Sequence, residues 1–299
     1  MRHPAGRSWT FPGRVLALAC AVVIGVALKP QPAIAAPPPT PRFELFAMDN
    51  GVGRGTWSPA QQANVLSEIG YAGISYNYTT ISDLKTWRTE LARCHLKFEG
   101  LYFPIRLRGA KPFPDGMEQA IELLRGTGAV LWVIIPQVEP AEQNAEEAVR
   151  RIRALADLAA PAGLRVVLYP HFKNYLATAE QALDLVLRIG RSNVSLTFNL
   201  CHELAAGNGS RVAEIIRRVA PCLSMVTLNG ATDQPGPEWS NYIQRLGQGT
   251  FDVSWIVGVL KEVGYLGPIG IQFYGLKEEP RAMLEATFAA WPAVERGAD

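Results

Sequence analysis

The sequence predicts a (β/α)8 barrel, and three observations lead there. From residue 43 on, short apolar runs alternate with amphipathic stretches, as in parallel strands joined by crossover helices. The runs number eight, and no GxGxxG opens the first unit as a doubly wound nucleotide fold would require. Several amphipathic stretches also end in Gly, a common helix C-cap.

In chain order the expected strands are FELFAMD (43–49), GISYNY (73–78), KFEGLYF (97–103) and VLWVIIP (130–136), then RVVLYPH (165–171), VSLTFNL (194–200), SMVTLNG (224–230) and IGIQFYG (269–275). Between them lie the helical patterns PAQQANVLSEIGY, EQAIELLRGTG, AEEAVRRIRALADLAAPAG, TAEQALDLVLRIG, SRVAEIIRRVA and DVSWIVGVLKEVGY. Residues 41–299 are read as one barrel domain, since a single barrel often fills about 250 residues.

The first 40 residues read differently. Arg2, Arg7 and Arg14 precede the apolar run Val15–Leu28, and small residues with an A-x-A pattern follow near Ala35, then a Pro-rich linker. The expectation is a secretory signal and a periplasmic or extracellular protein with no stable membrane association after cleavage; the alternative is an uncleaved N-terminal anchor. Beyond that segment Cys94, Cys201 and Cys222 form no CxxC pair, so neither a disulfide framework nor a zinc cluster is indicated. With 48% hydrophobic and 19% charged residues the chain has the composition of a globular core. A formal charge of +2 without basic blocks argues against a nucleic-acid partner.

In such a barrel the site lies at the C-terminal strand ends, and alternation along each strand decides which residues face the lumen. Parity groups Tyr169 with His171, places Asn199 with Ser195 and Thr197, joins Asn229 to Thr227, and sets Gln272 and Tyr274 on the face of Gly270. From earlier strands Tyr102, Asp49 and Asn77 join them, and Lys173 follows His171. The long segment 231–250, rich in Pro and Gly, brings Trp239, Tyr242 and Arg245 within reach of a ligand.

The endings YPH and NLCH, the segment LGQGTFD, and VGYLGPIGIQFY resemble the xylose isomerase-like barrels, the superfamily of sugar isomerases, sugar epimerases and the related endonuclease IV fold. The resemblance implies a divalent metal held by a Glu ending the fifth strand, an Asp in a D-x-x-H pattern ending the sixth, a His on the seventh and a Glu on the eighth. Matched strand by strand, this chain has Tyr169, Asn199, Asn229 or Thr227, and Gln272 in those places. Hard dications are held chiefly by charged oxygens, so no metal or other cofactor is expected. His171 and His202 remain as the acid/base pair, with Tyr102, Tyr169, Lys173, Asn199, Asn229, Gln272 and Tyr274 as the substrate-binding set. The implied function is an isomerase or epimerase, or a lyase or hydrolase on the same scaffold, acting on a sugar or oxidised glycoside. The alternative is a carbohydrate-binding barrel without catalysis, whose histidines are hydrogen-bonded rim residues and whose amides satisfy backbone groups. A nuclease-like phosphodiesterase is disfavoured, because the multi-metal ligand set and basic surface are missing. The sequence leaves the oligomeric state open.

Overall fold

Each apolar run supplies a strand whose two faces are both covered, one by lumen side chains and one by helices, and eight of them close on one another. The computed structural model describes residues 43–137, 145–233 and 236–297. Strands β1 (Leu45–Met48), β2 (Gly73–Asn77), β3 (Lys97–Pro104), β4 (Val130–Ile134), β5 (Arg165–Leu168), β6 (Val194–Asn199), β7 (Leu223–Leu228) and β8 (Ile269–Ile271) form a closed parallel barrel in sequence order. The expected (β/α)8 class is the observed one.

Helix starts and stops follow local chemistry. In α1 (Pro59–Ile69) Ser58 and Gln61 form a reciprocal capping box and Gly70 closes the C-terminus at φ 108°. Helices α2 (Ile81–Arg93), α3 (Met117–Leu124), α4 (Ala145–Ala159) and α5 (Ala179–Ile189) cover the next strands. Two short helices at the barrel mouth, α6 (Leu200–Ala205) and α8 (Trp239–Tyr242), accompany the outer helices α7 (Val212–Val219), α9 (Val253–Glu262) and α10 (Pro280–Arg296). Helices α2, α6, α8 and α10 lie outside the helical patterns named above. No helix among the described residues is long and apolar enough to cross a membrane, and the expected signal segment lies outside those residues.

The lower lumen is solid. Phe46, Trp132, Val167 and Met225 are buried there, and Gly270 is required because a Cβ would collide with the Phe46 ring. Trp132 donates Nε1–H to Thr197 Oγ1 at 2.6 Å, so its one polar atom is satisfied. Parity therefore holds in β5, β6 and β7. The strands are shorter than expected, for local reasons. β5 stops before Pro170, which has no N–H to donate; β6 ends at Asn199 because Leu200 opens a helix; and β8 goes no further because the Gln272 side chain takes the next two backbone N–H groups, while its own N–H still bonds the Leu228 carbonyl at 3.0 Å.

At the opposite end of the barrel the β2–β3 register steps, with Ile74 beside Phe98 but Ser75 beside Gly100. The skipped residue, Glu99, has a buried Oε1 without a partner, and burial pushes its carboxyl up to about 7 against the pull of Lys97. A folded pKa above the unfolded one disfavours ionisation in the fold, so stability falls as pH rises from about 4.5 to about 7. E99Q is expected to melt higher than the parent at pH 8 by an increment of up to about 3 kcal/mol, reduced by solvent screening, with little gain at pH 4. Melting curves with the same difference at both pH values would contradict this.

Candidate active site

The cavity at the C-terminal mouth has a volume of about 310 Å³ and a floor formed by Met48, Tyr102 and Tyr169. Tyr169 stands edge-on to Trp132 and Tyr102, at centroid distances of 4.8 and 5.3 Å, so the aromatic plug beneath fixes its ring. Burial raises both phenols above their ordinary range, and they remain protonated at neutral pH.

One wall carries the two histidines. His171 follows Pro170 in a tight turn closed by its own N–H to the Leu176 carbonyl at 2.8 Å. Its Nδ1 lies 2.8 Å from the Phe172 carbonyl, which can only accept; Nδ1 therefore bears the hydrogen and Nε2 keeps its lone pair. His202 sits in α6 rather than in a loop, since Leu200–Ala205 is helical from the strand end onward. Its ring stacks on His171 with centroids 3.9 Å apart, and its buried Nδ1 has no partner. Burial lowers the pKa of both imidazoles, and the neighbouring His171 lowers His202 further. The pair is neutral at neutral pH, and two positive rings this close would repel, so it takes up its protons one after the other. Trp239 packs edge-on to His202 at 5.7 Å and closes this side.

Between the walls, Asn199 Nδ2 and Gln272 Nε2 both face the Tyr169 hydroxyl, the latter at 3.5 Å. Gln272 Oε1 accepts from the Phe273 and Tyr274 N–H groups at 3.0 and 3.1 Å and from Asn50. Asn199 Oδ1 accepts from the Cys201 thiol at 3.1 Å. The far wall is the loop after β1. Buried Asp49 pairs with Arg54 and accepts the Asn77 N–H at 3.1 Å; burial raises its carboxyl, and Arg54 opposes that rise. Asp49 and Asn77 line the cavity as expected, and Asn50, Arg54 and Ser75, not expected there, line it too. The available signal was the Asp-Asn pair at the end of the first apolar run with an Arg five residues after the Asp.

Of the expected binding residues, Tyr102, Tyr169, Gln272 and Tyr274 line the cavity with both histidines. Asn199 acts from behind Tyr169. Lys173 is not brought in: it turns outward at φ 68°, its ammonium 5.6 Å from the Phe172 ring. Asn229 is not brought in either, since its Nδ2 donates to the Gly230 and Tyr242 carbonyls, each at 2.7 Å. It fastens the long loop carrying Trp239, whose root also pairs Gly230 with Gln244 and Ala231 with Gly249. A Cβ on Gly230 or Gly249 would strike the carbonyl of Arg245 or Ala231, so both must be glycine. Arg245 is tied to Glu278 at 3.1 Å. Glu203, although beside His202, accepts the Ala179 N–H at 2.6 Å and the Asn208 amide at 2.7 Å and so joins α6 to α5. Cys94, Cys201 and Cys222 are free thiols. Among the described residues no group of three or more His, Cys, Asp or Glu could hold a metal ion.

A closed eight-stranded barrel with a polar pocket at its C-terminal mouth defines a class of small-molecule barrel proteins. The chain belongs to the xylose isomerase-like TIM barrel family, whose model matches residues 63–289. Among curated proteins it is 25% identical over 174 residues to inosose isomerase of Bacillus velezensis, covering 56% of this chain and 61% of that one. It is 27% identical over 170 residues to 3-dehydroshikimate dehydratase of Pseudomonas aeruginosa, covering 52% of this chain and 25% of that one. The chain thus spans less than two thirds of the length of these relatives. Among solved structures, the 3-keto-D-glucoside 4-epimerase of E. coli superposes with a TM-score of 0.67 at 14% identity, covering 84% of this chain and 99% of that one.

Proposed function

We propose that the chain is an exported enzyme of the sugar isomerase and epimerase type, acting on a sugar or oxidised glycoside by histidine acid/base chemistry. The observation that carries the reading is the stacked neutral pair His171–His202 on the wall of a cavity sized for one monosaccharide unit. Nε2 of His171 is free to take a proton from a carbon next to the ligand carbonyl, leaving an enediolate and an imidazolium. Return of the proton from the His171 imidazolium to the neighbouring carbon, on the same face, gives an isomer; an epimer forms where water reprotonates the first carbon from the other face and the hydroxide left takes the imidazolium proton. His202, on the same wall as His171, is the acid partner that hydrogen-bonds the ligand oxygens. The relatives named as an inosose isomerase and a 3-keto-D-glucoside 4-epimerase support an isomerising or epimerising activity, and the histidine pair supports the means. Export is supported by the order of charged, apolar and small residues at the N-terminus.

A second reading, a carbohydrate-binding barrel without turnover, is favoured by one observation: uncharged Tyr169, Asn199 and Gln272 occupy strand ends where the family resemblance implies acidic residues. Incubating the protein in D2O with a panel of keto-glycosides and free sugars separates the two. Deuterium entering a carbon beside the carbonyl carries the enzyme reading; calorimetric binding without exchange carries the second; neither exchange nor binding defeats both. For whichever sugar binds, Trp239→Ala is expected to weaken affinity roughly 5- to 30-fold by removing about 1–2 kcal/mol of aromatic contact. An unchanged Kd would remove Trp239 from the binding surface.

A further inference from the structure

We infer that the Tyr169 hydroxyl, gripped by the amides of Asn199 and Gln272, donates a hydrogen bond to an electron-rich ligand oxygen where the family resemblance would place a cation. That oxygen is a carbonyl, enolate or carboxylate oxygen. The inference deepens the carbohydrate reading and rests on it only for the identity of the natural ligand.

Gln272 fixes the polarity of the cluster. Backbone N–H groups can only donate, so those of Phe273 and Tyr274, at 3.0 and 3.1 Å, hold Oε1 toward the chain and leave Nε2 turned to the lumen. At Asn199 the Cys201 thiol donates to Oδ1 and Nδ2 faces the phenol oxygen. A phenol oxygen approached by two N–H donors directs its own proton elsewhere, and for Tyr169 that direction is the cavity it lines. The residues present therefore do not fit a divalent metal. A cation would meet N–H and O–H hydrogens, with both amide oxygens, Gln272 Oε1 and Asn199 Oδ1, engaged elsewhere. An electron-rich oxygen would meet a preorganised donor backed by two more dipoles. Across the cavity the opposite charges of Asp49 and Arg54 are paired, so they supply little net field of their own.

Gluconate and glucitol test this, because they share a six-carbon polyol frame and differ in one terminal carboxylate. At pH 7.5 the intact protein is expected to bind gluconate roughly tenfold more tightly than glucitol by calorimetry. Y169F, which keeps the ring contacts, should bind the two alike. Q272E should lose the preference as well, since the new carboxylate would accept the Tyr169 proton; it serves if Y169F does not fold. After incubation with MnCl2 and desalting, elemental analysis should find no stoichiometric manganese. A preference that survives both substitutions, binding of neither compound, or one retained manganese per chain would each overturn the inference. None of these measurements uses turnover. Absent deuterium exchange with an intact gluconate preference would remove the catalytic reading alone.

Discussion

Alanine at His171 is expected to lower kcat on the substrate found by the exchange screen by roughly 10²- to 10⁴-fold, the range for loss of a positioned general base. The melting temperature should hardly move, because this half-buried ring contributes one hydrogen bond, to the adjacent Phe172 carbonyl. The pH profile sharpens the expectation. Burial lowers the His171 pKa below its ordinary value of 6.5, so the base stays unprotonated further into the acid range than free imidazole does. The acid limb of kcat/KM should accordingly fall below pH 6.5. Turnover of H171A within threefold of the parent, or an acid limb above pH 6.5, would remove His171 from the chemistry. The same lowering acts on the fold. Below pH 6.5 the unfolded chain binds protons that the folded His171 and His202 refuse, so this contribution to stability is complete above that pH and is lost as pH falls.

Trp132→Ala should produce the largest loss of stability, about 3–5 kcal/mol from the emptied volume and lost contacts. The indole is fully buried in the lumen, where it meets Phe46, Tyr102 and Tyr169 and donates to Thr197. Truncation also strands the Thr197 hydroxyl, and the melting temperature should drop by roughly 6–20 °C. Sugar binding should weaken with it, since Tyr169 loses the surface that holds its ring. A drop of only a degree or two would mean that the lumen collapses to fill the gap and that this plug does not support the cavity floor.

The barrel itself was legible because its strands are covered on both faces and read as short, mainly apolar runs, and alternation then put Tyr169, Asn199 and Gln272 on one face, where they meet through their side chains. Strand ends were less legible. Whether a polar residue continues the ladder or turns away depends on what its side chain bonds, as the fold of Gln272 onto Phe273 and Tyr274 illustrates. Asn229 has the right parity, yet its Nδ2 is taken by the carbonyls of Gly230 and Tyr242, the latter a partner thirteen residues on that no periodicity indicates. Lys173 was grouped with His171 by proximity in sequence, and a left-handed turn carries it outward. Asn50 lies in the single 3-10 turn Asp49–Gly51 and Arg54 in the turns that follow it, too short a stretch for any helix or strand period to show.

The tethers at the root of the loop bearing Trp239 bear on the kinetics of ligand exchange. With Asn229 bonded to Tyr242 and Gly230 paired to Gln244, the aromatic edge is already in place before anything arrives. Little conformational freedom of this edge remains to be lost on association, so the Trp239 side of the cavity is formed before its ligand. Residues that do not line the cavity, Gly230 and Gly249 among them, then become determinants of residence time, because any side chain added there would strike a backbone carbonyl and shift the loop that holds Trp239.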